Sequence, residues 1–147
     1  MHLQPTPRRL SLMVLVATAS VLLAACGQRA AAPSAPPKPA TLEKIAGTSL
    51  ARITLTEDGA RAIDLRTEPV AQHESGLAVP YGALVYDKAG DTWVYAATGP
   101  LAFVRQRISV DAVRGNLVVA RDGPPPGTQV VTVGVAELYG VEFGVGK

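Results

Sequence analysis

The sequence has few of the residues from which catalytic and metal sites are usually built. It contains one cysteine, Cys26, and two histidines, of which only His73 lies beyond the N-terminal segment. A single thiol excludes a disulfide within the chain, and the only nearby serine, in Ser75-Gly76, lacks the pattern of a nucleophile elbow. His73 is followed directly by Glu74, and two adjacent residues do not make a zinc-ligand set. These shortages predict a protein that is not an enzyme and holds no metal or dissociable cofactor, with His73 solvated.

The sequence also has no large excess of basic over acidic residues, or the reverse. The chain has 14 lysines and arginines against 12 aspartates and glutamates. Arg8 and Arg9 lie in an N-terminal segment that has no acidic residue, so the remainder carries equal numbers of both signs. Binding to nucleic acid depends on a basic stripe or patch that neutralises phosphates. The balanced charge therefore excludes nucleic acid as an expected partner.

The N-terminus has the pattern of an export signal. Residues 1–9 are basic, and residues 10–23 form an almost uninterrupted apolar run that ends in Leu23-Ala24-Ala25-Cys26. A basic start, an apolar run of this length and small residues beyond it are typical of a secretory signal peptide. A transmembrane helix needs roughly 20 apolar residues, which is more than this run offers.

The end of the signal resembles the lipobox of bacterial lipoproteins. The resemblance implies cleavage between Ala25 and Cys26, and attachment of a diacylglycerol and an N-acyl lipid to Cys26. It places the mature chain on the periplasmic face of a membrane, and Gly27 at the next position favours the outer membrane slightly. The alternative is an ordinary secretory signal that is followed by an unrelated cysteine.

Residues 26–47 are predicted to be a tether between the lipid and a folded domain. Alanine and proline dominate residues 30–40, and proline-rich chains act as semi-rigid spacers. Such a segment can also be a ligand for an aromatic groove. With residues 1–25 as the signal peptide, the folded domain is expected over residues 48–147.

The rest of the chain predicts a mainly β domain. Residues 49–55 alternate apolar and polar positions, and Thr56 has the character of a helix N-cap, with Glu57 and Asp58 in the first turn. From residue 76 onward, short stretches of β-forming residues alternate with turn sequences. We expect a small β-barrel or roll of about seven short strands with one short helix.

Three details of this prediction can be checked individually. The sequence Asp87-Lys88-Ala89-Gly90-Asp91 predicts a hairpin turn. Residues 102–110 are polar in the middle on both faces, which predicts a single edge or twisted strand. Residues 141–145 are a candidate for a last strand.

Several segments, taken in order, resemble the membrane-proximal domain of membrane fusion proteins, the HlyD-like periplasmic adaptor subunits of RND efflux pumps. They are residues 53–57 (ITLTE), 62–70 (AIDLRTEPV), 79–85 (VPYGALV), 92–95 (TWVY), 103–110 (FVRQRISV) and 122–134 (DGPPPGTQVVTVG). No single segment is specific, but their order is.

The chain departs from that family in one place. In a complete adaptor, a barrel domain, a lipoyl domain and a helical hairpin separate the two halves of the membrane-proximal domain. Here about eight residues, 71–78, join the halves. The resemblance therefore implies a free-standing membrane-proximal domain on a lipid anchor, whose two halves close onto each other.

The resemblance implies that the protein acts as an accessory or minimal adaptor component of an RND-type transport system, bound to an inner-membrane transporter or to a full-length adaptor. The candidate partner surface consists of Tyr81, Trp93, Phe103, Arg105 and Arg107. Core packing of the aromatic residues and simple solvation of the two arginines are the alternatives. A lipoprotein that binds a small molecule, an envelope-structural lipoprotein and a remnant without a partner are the other functional hypotheses.

Overall fold

The computed structural model of the chain describes residues 38–144. The predicted signal peptide, Cys26 and most of the tether lie outside the described residues. The strands of the described part are β1 (Ala40–Lys44), β2 (Ala51–Leu55), β3 (Arg66–Pro69), β4 (Ala71–His73), β5 (Gly76–Pro80), β6 (Val85–Tyr86), β7 (Thr92–Gly99), β8 (Ala102–Arg107), β9 (Ser109–Arg114), β10 (Leu117–Asp122) and β11 (Gln129–Val133). Its helices are α1 (Glu57–Ala62), α2 (Val135–Phe143) and a 3₁₀ turn at Tyr81–Ala83.

The strands form two antiparallel sheets. The larger sheet has the order β1-β2-β8-β7-β11-β3, and β6 also pairs with β7. The smaller sheet has the order β4-β5-β10-β9. The prediction of a mainly β domain is confirmed, and the two sheets do not close into a barrel.

The larger sheet is the middle layer of the domain. Neighbouring residues of a strand point to opposite faces, and β7 illustrates this: Val94 packs in a cluster with Val79 and Val118 of the smaller sheet, whereas Tyr95 packs with Leu138 of α2. The smaller sheet thus covers one face of the larger sheet, and the two helices cover the other. Neither helix among residues 38–144 is long and apolar enough to span a membrane.

Helix α1 begins at the predicted N-cap. The Thr56 Oγ1 accepts a hydrogen bond from the backbone N–H of Gly59 at 3.0 Å and donates one to the carbonyl oxygen of Pro39 at 3.3 Å. Glu57 and Asp58 occupy the first turn, as the sequence indicated. The threonine therefore fixes both the start of the helix and the chain that enters β1.

Replacement of Thr56 by alanine is expected to lower the free energy of unfolding by about 1 kcal/mol, because an N-cap oxygen typically contributes that much. Urea denaturation of the two proteins measures the difference. Thr56→Ser keeps the acceptor oxygen and is expected to stay close to the wild type. An equal loss for serine and alanine would contradict the capping role.

The folded domain begins earlier than the sequence indicated. Strand β1 lies inside the segment predicted to be tether, and it pairs with β2 so that Leu42 faces Ile53. The local sequence Ala-Thr-Leu-Glu-Lys has a single large apolar residue and gives little strand signal. Pairing with the buried strand beside it supplies the hydrogen bonds that its own composition does not predict.

The prediction of one edge or twisted strand over residues 102–110 is wrong. The chain leaves the larger sheet at Ile108, where β8 ends and β9 of the smaller sheet begins. Ile108 is 2% exposed, and its backbone N–H donates to the carbonyl oxygen of Thr92 at 2.9 Å. Strand β8 lies between β2 and β7, in the interior of the sheet, because the polar residue at its centre has partners inside the protein.

The candidate strand at residues 141–145 is also wrong, since residues up to Phe143 belong to α2. Valine and phenylalanine favour strands locally, but the helix buries Leu138 against the larger sheet. Gly134 precedes the helix with φ of 90°, and Gly144 follows it with φ of 67°. These left-handed positions let the chain turn sharply into and out of the helix.

The segment that joins the two halves forms a hairpin. Strands β4 and β5 pair with Ala71 opposite Ala78 and His73 opposite Gly76. The Nδ1 atom of His73 lies 3.0 Å from the Oγ of Ser75, within the turn. The short bridge is thus a regular part of the smaller sheet.

Candidate functional site

The five residues of the candidate partner surface do not share one open face. Phe103 and Arg105 are 3% and 6% exposed, and Trp93 is half-buried, whereas Tyr81 and Arg107 are exposed. Four of the five lie on the face of the larger sheet that the helices cover, with Trp93 opposite Arg107 in the register of β7 and β8. Phe103 and Arg105 cannot contact a partner while α2 stays in place.

Arg105 is the centre of a buried polar cluster, and its side chain is 7% exposed. Its Nε lies 3.3 Å from Oε1 of Glu142, whose side chain is 4% exposed. Its Nη1 lies 4.0 Å from Oδ2 of Asp87. The guanidinium carbon stands 4.1 Å from the centre of the Trp93 ring, in the arrangement of a cation–π contact.

Tyr95 forms the second hydrogen bond to the carboxylate of Glu142. Its hydroxyl donates to Oε2 of the carboxylate at 2.6 Å. Burial, together with the hydrogen bond to this carboxylate, raises the pKa of Tyr95 above its usual range. The hydroxyl therefore remains a proton donor, and both oxygens of Glu142 have a partner.

Asp87 anchors the hairpin turn to the same cluster. Its Oδ2 accepts from the indole Nε1–H of Trp93 at 2.9 Å, and its Oδ1 accepts from the backbone N–H groups of Ala89 and Asp91, each at 2.9 Å. Desolvation raises the pKa of Asp87, but these hydrogen bonds and the charge of Arg105 outweigh it, so the pKa lies below its usual value. The carboxylate is therefore ionised at neutral pH.

The cluster joins three separate parts of the chain: the turn after β6, the central strands β7 and β8, and the C-terminal helix α2. No buried side-chain nitrogen or oxygen among residues 38–144 lacks a hydrogen-bond partner. A buried charged cluster of this kind can hold a helix on a sheet when its members pair with one another.

The two acidic side chains that contact Arg105 come from its own chain. Glu142 follows Arg105 by 37 residues, and nothing in the local sequence of either residue indicates the pairing. The neighbouring Gln106 and Arg107 are polar as well, so Arg105 does not stand out in the sequence. Arg107, two residues further, is exposed and pairs with Asp91 at the surface.

An open groove of about 470 Å³ lies beside α2. Its walls come from the 3₁₀ turn, from β6 and from the first turns of the helix. The lining residues are Gly82, Leu84, Val85, Tyr86, Val135, Ala136 and Tyr139. Tyr81 and Tyr86 are 48% and 58% exposed, which makes them two of the largest apolar side chains left in contact with water.

The groove contains no charged lining residue. Sites for small ligands combine an apolar wall with a few convergent polar groups, and protein interfaces are enriched in tyrosine and other aromatic residues. The composition of the groove fits the second description better. Tyr86 lines the groove, whereas Tyr81 is exposed at the 3₁₀ turn and is not one of the lining residues.

Within residues 38–144, no group of three or more histidine, cysteine, aspartate or glutamate side chains is placed to hold a metal ion. No protein-family model matches the chain, and no curated protein is significantly similar to it.

Proposed function

We propose that the protein is a lipid-anchored periplasmic lipoprotein that acts as an accessory or minimal adaptor component of an RND-type transport system, through protein–protein binding. Cys26 carries the diacylglycerol and the N-acyl lipid, and the proline-rich tether holds the domain away from the membrane. The partner is an inner-membrane transporter or a full-length adaptor. The resemblance of the ordered segments to the membrane-proximal domain is the starting point of the proposal.

One observation supports it above the others: the two halves of the resembling sequence fold as a single unit. Strand β2, from the first half, pairs with β8 of the second half, and β3 pairs with β11. The hairpin β4–β5 bridges the position at which a complete adaptor has its long insertion.

The groove beside α2 is the surface that we assign to the partner. It exposes tyrosines over an apolar floor, and aromatic anchors of this kind supply much of the binding energy at protein interfaces. The buried cluster around Arg105 holds α2, which forms one wall of the groove. The charged residues would therefore serve binding indirectly, because they fix the shape of the surface.

A photo-crosslinking amino acid at position 86 is expected to capture the transporter or the adaptor in living cells. The reason is that the Tyr86 side chain is more than half exposed and lines the groove. The captured proteins are identified by mass spectrometry after purification of the tagged lipoprotein under denaturing conditions.

Val113 is the matched control position. It is 47% exposed and lies on β9, in the smaller sheet, away from the groove. Capture of the same proteins from both positions would indicate non-specific contact, and capture of no transport component from position 86 would contradict the proposal.

The alternative of a small-molecule site has the size of the groove in its favour, since ligand pockets commonly measure 300–1,000 Å³. Native mass spectrometry of the protein, released gently from membranes, distinguishes a small-molecule site from a protein-binding surface. A stoichiometric small adduct that disappears in Tyr86→Ala would favour the ligand, and its absence together with the crosslinks would favour the protein partner.

A further inference from the structure

We propose that strand β1 pairs with β1 of a second copy of this protein, so that two domains share one continuous sheet. Strand β1 ends the larger sheet, and no other described strand lies along its outer side. An unpaired edge strand is a template for another strand. The sequence of β1 and its register with β2 indicate which strand can pair with its open edge.

The backbone groups that face the open edge can be identified from the hairpin geometry. In antiparallel pairs, residues alternate between exchanging hydrogen bonds with the facing strand and pointing away from it. The N–H of Ile45 donates to the oxygen of Leu50 at 3.0 Å, and the N–H of Thr56 donates to the oxygen of Pro39 at 2.9 Å. Odd-numbered residues of β1 therefore bond to β2. The N–H and C=O groups of Ala40, Leu42 and Lys44 point outward.

A third hydrogen bond supports this assignment. The N–H of Leu55, which faces Ala40 in the register, donates to the oxygen of Leu101 on the opposite side of β2. Ala40 and Leu55 therefore face each other without a backbone hydrogen bond between them. Strand β1 thus offers three regularly spaced donor–acceptor pairs to an additional strand.

Of the antiparallel registers centred on Thr41, Leu42 and Glu43, only the one centred on Leu42 avoids placing like charges opposite each other. Centred on Leu42, the pairing sets Lys44 against Ala40 and Glu43 against Thr41 of the other copy. A shift of the centre to Thr41 would oppose Lys38 and Lys44, and a shift to Glu43 would oppose the two glutamates. Like charges directly opposite are unfavourable in a sheet, so the sequence of β1 favours the pairing centred on Leu42 over these two shifts.

The side chains at this edge favour the same arrangement. Leu42 is 45% exposed and Phe143 is 47% exposed, and both line a cleft of about 200 Å³ beside β1. In the pairing centred on Leu42, the leucine of the second copy lies on the same face of the sheet and covers this cleft. The dimer thereby buries two of the six large apolar residues that are exposed in the described domain.

The register gives a crosslink that few other arrangements would produce. Thr41 and Glu43 of different copies would face each other without exchanging hydrogen bonds, at a Cα separation of about 4.5 Å, which is within reach of a disulfide. Two copies of Thr41 would lie two residues out of step, at about 7–8 Å. We expect full-length Thr41→Cys and Glu43→Cys, carrying different tags and produced together, to form a disulfide-linked pair in membranes treated with copper phenanthroline. Each cysteine variant produced alone should form little disulfide-linked dimer.

A proline at position 42 tests the role of the edge itself. Leu42→Pro removes an N–H that points outward and that the hairpin does not use, a placement that edge strands tolerate. Introduced into both cysteine chains, it should abolish the crosslink while the melting temperature stays near that of Leu42→Ala, which keeps the N–H. Loss of the crosslink in Leu42→Ala as well would still support the pairing, and it would indicate that the apolar contact of Leu42 supplies most of the stability of the dimer.

Three outcomes would overturn the inference. One is no mixed disulfide, and another is a disulfide as abundant in each single variant as in the mixture. The third is a photo-crosslink from position 42 that joins the protein only to a different polypeptide, which would assign the edge to another partner's strand. The inference goes beyond the proposed transport role, and either result leaves the crosslinks from Tyr86 to be judged separately.

Discussion

Cys26→Ala is expected to remove all incorporation of labelled palmitate and to leave residues 1–25 attached to the chain. The resemblance to the lipobox implies that the signal peptidase cuts before a cysteine whose sulfur carries the lipid, so the loss of Cys26 is expected to block both steps. Each buried CH₂ of an acyl chain contributes about 0.8 kcal/mol to membrane binding, and one chain alone binds only marginally. The several chains on one cysteine would therefore account for firm anchoring.

Metabolic labelling and the intact mass of the purified protein measure this result. The same variant separates the two interpretations of the N-terminus, because an ordinary secretory signal would still be cut after Ala25 when Cys26 is replaced. A processed, soluble Cys26→Ala product and an unlabelled wild type would contradict lipidation. Gly27→Ala serves as the control, since it leaves the thiol in place and should be labelled normally.

Glu142→Ala is expected to lower the free energy of unfolding by about 3–5 kcal/mol, because it leaves the buried guanidinium of Arg105 without its closest counter-ion. It also leaves the hydroxyl of Tyr95 without its acceptor. In a domain of this size such a loss should lower the melting temperature by more than about 10 °C. Circular dichroism during heating and urea denaturation both report the change.

Two further variants show whether the effect comes from the buried charge. Glu137→Ala alters an exposed acid on the same helix and should change stability little. The double variant Arg105→Met/Glu142→Leu replaces the ion pair with apolar side chains, and such replacements are often neutral or stabilising. It should therefore be more stable than Glu142→Ala, and a double variant at least as unstable as the single one would argue against charge burial as the cause.

The two effects belong to different parts of the molecule and can be separated. Loss of the lipid would leave the domain folded and change its location, whereas loss of Glu142 would loosen α2 while the lipid stays. If the groove beside α2 binds the partner, Glu142→Ala should also weaken the crosslink from position 86.

The sequence alone predicted the features that depend on a few neighbouring residues. Thr56 caps α1 because its side chain reaches an N–H three residues away. The turn after β6 forms where Asp87 can accept from two backbone N–H groups and Gly90 can take φ of 84°. Strand β2 follows its alternation of buried and exposed residues. The candidate groove was not predicted, because its walls come from β6 and α2, which lie far apart in the chain.

The tertiary structure decided the features whose causes lie far apart in the chain. The polar centre of residues 102–110 indicated an edge, yet Arg105 is buried in an interior strand because Glu142 and Asp87 arrive from elsewhere to neutralise it. Strand β1 exists because β2 is beside it, and α2 is a helix because the sheet offers Leu138 a buried site. Local pattern determines turns, caps and strand faces. Pairing of charges and burial of helices depend on contacts between distant segments, which only the folded chain brings together.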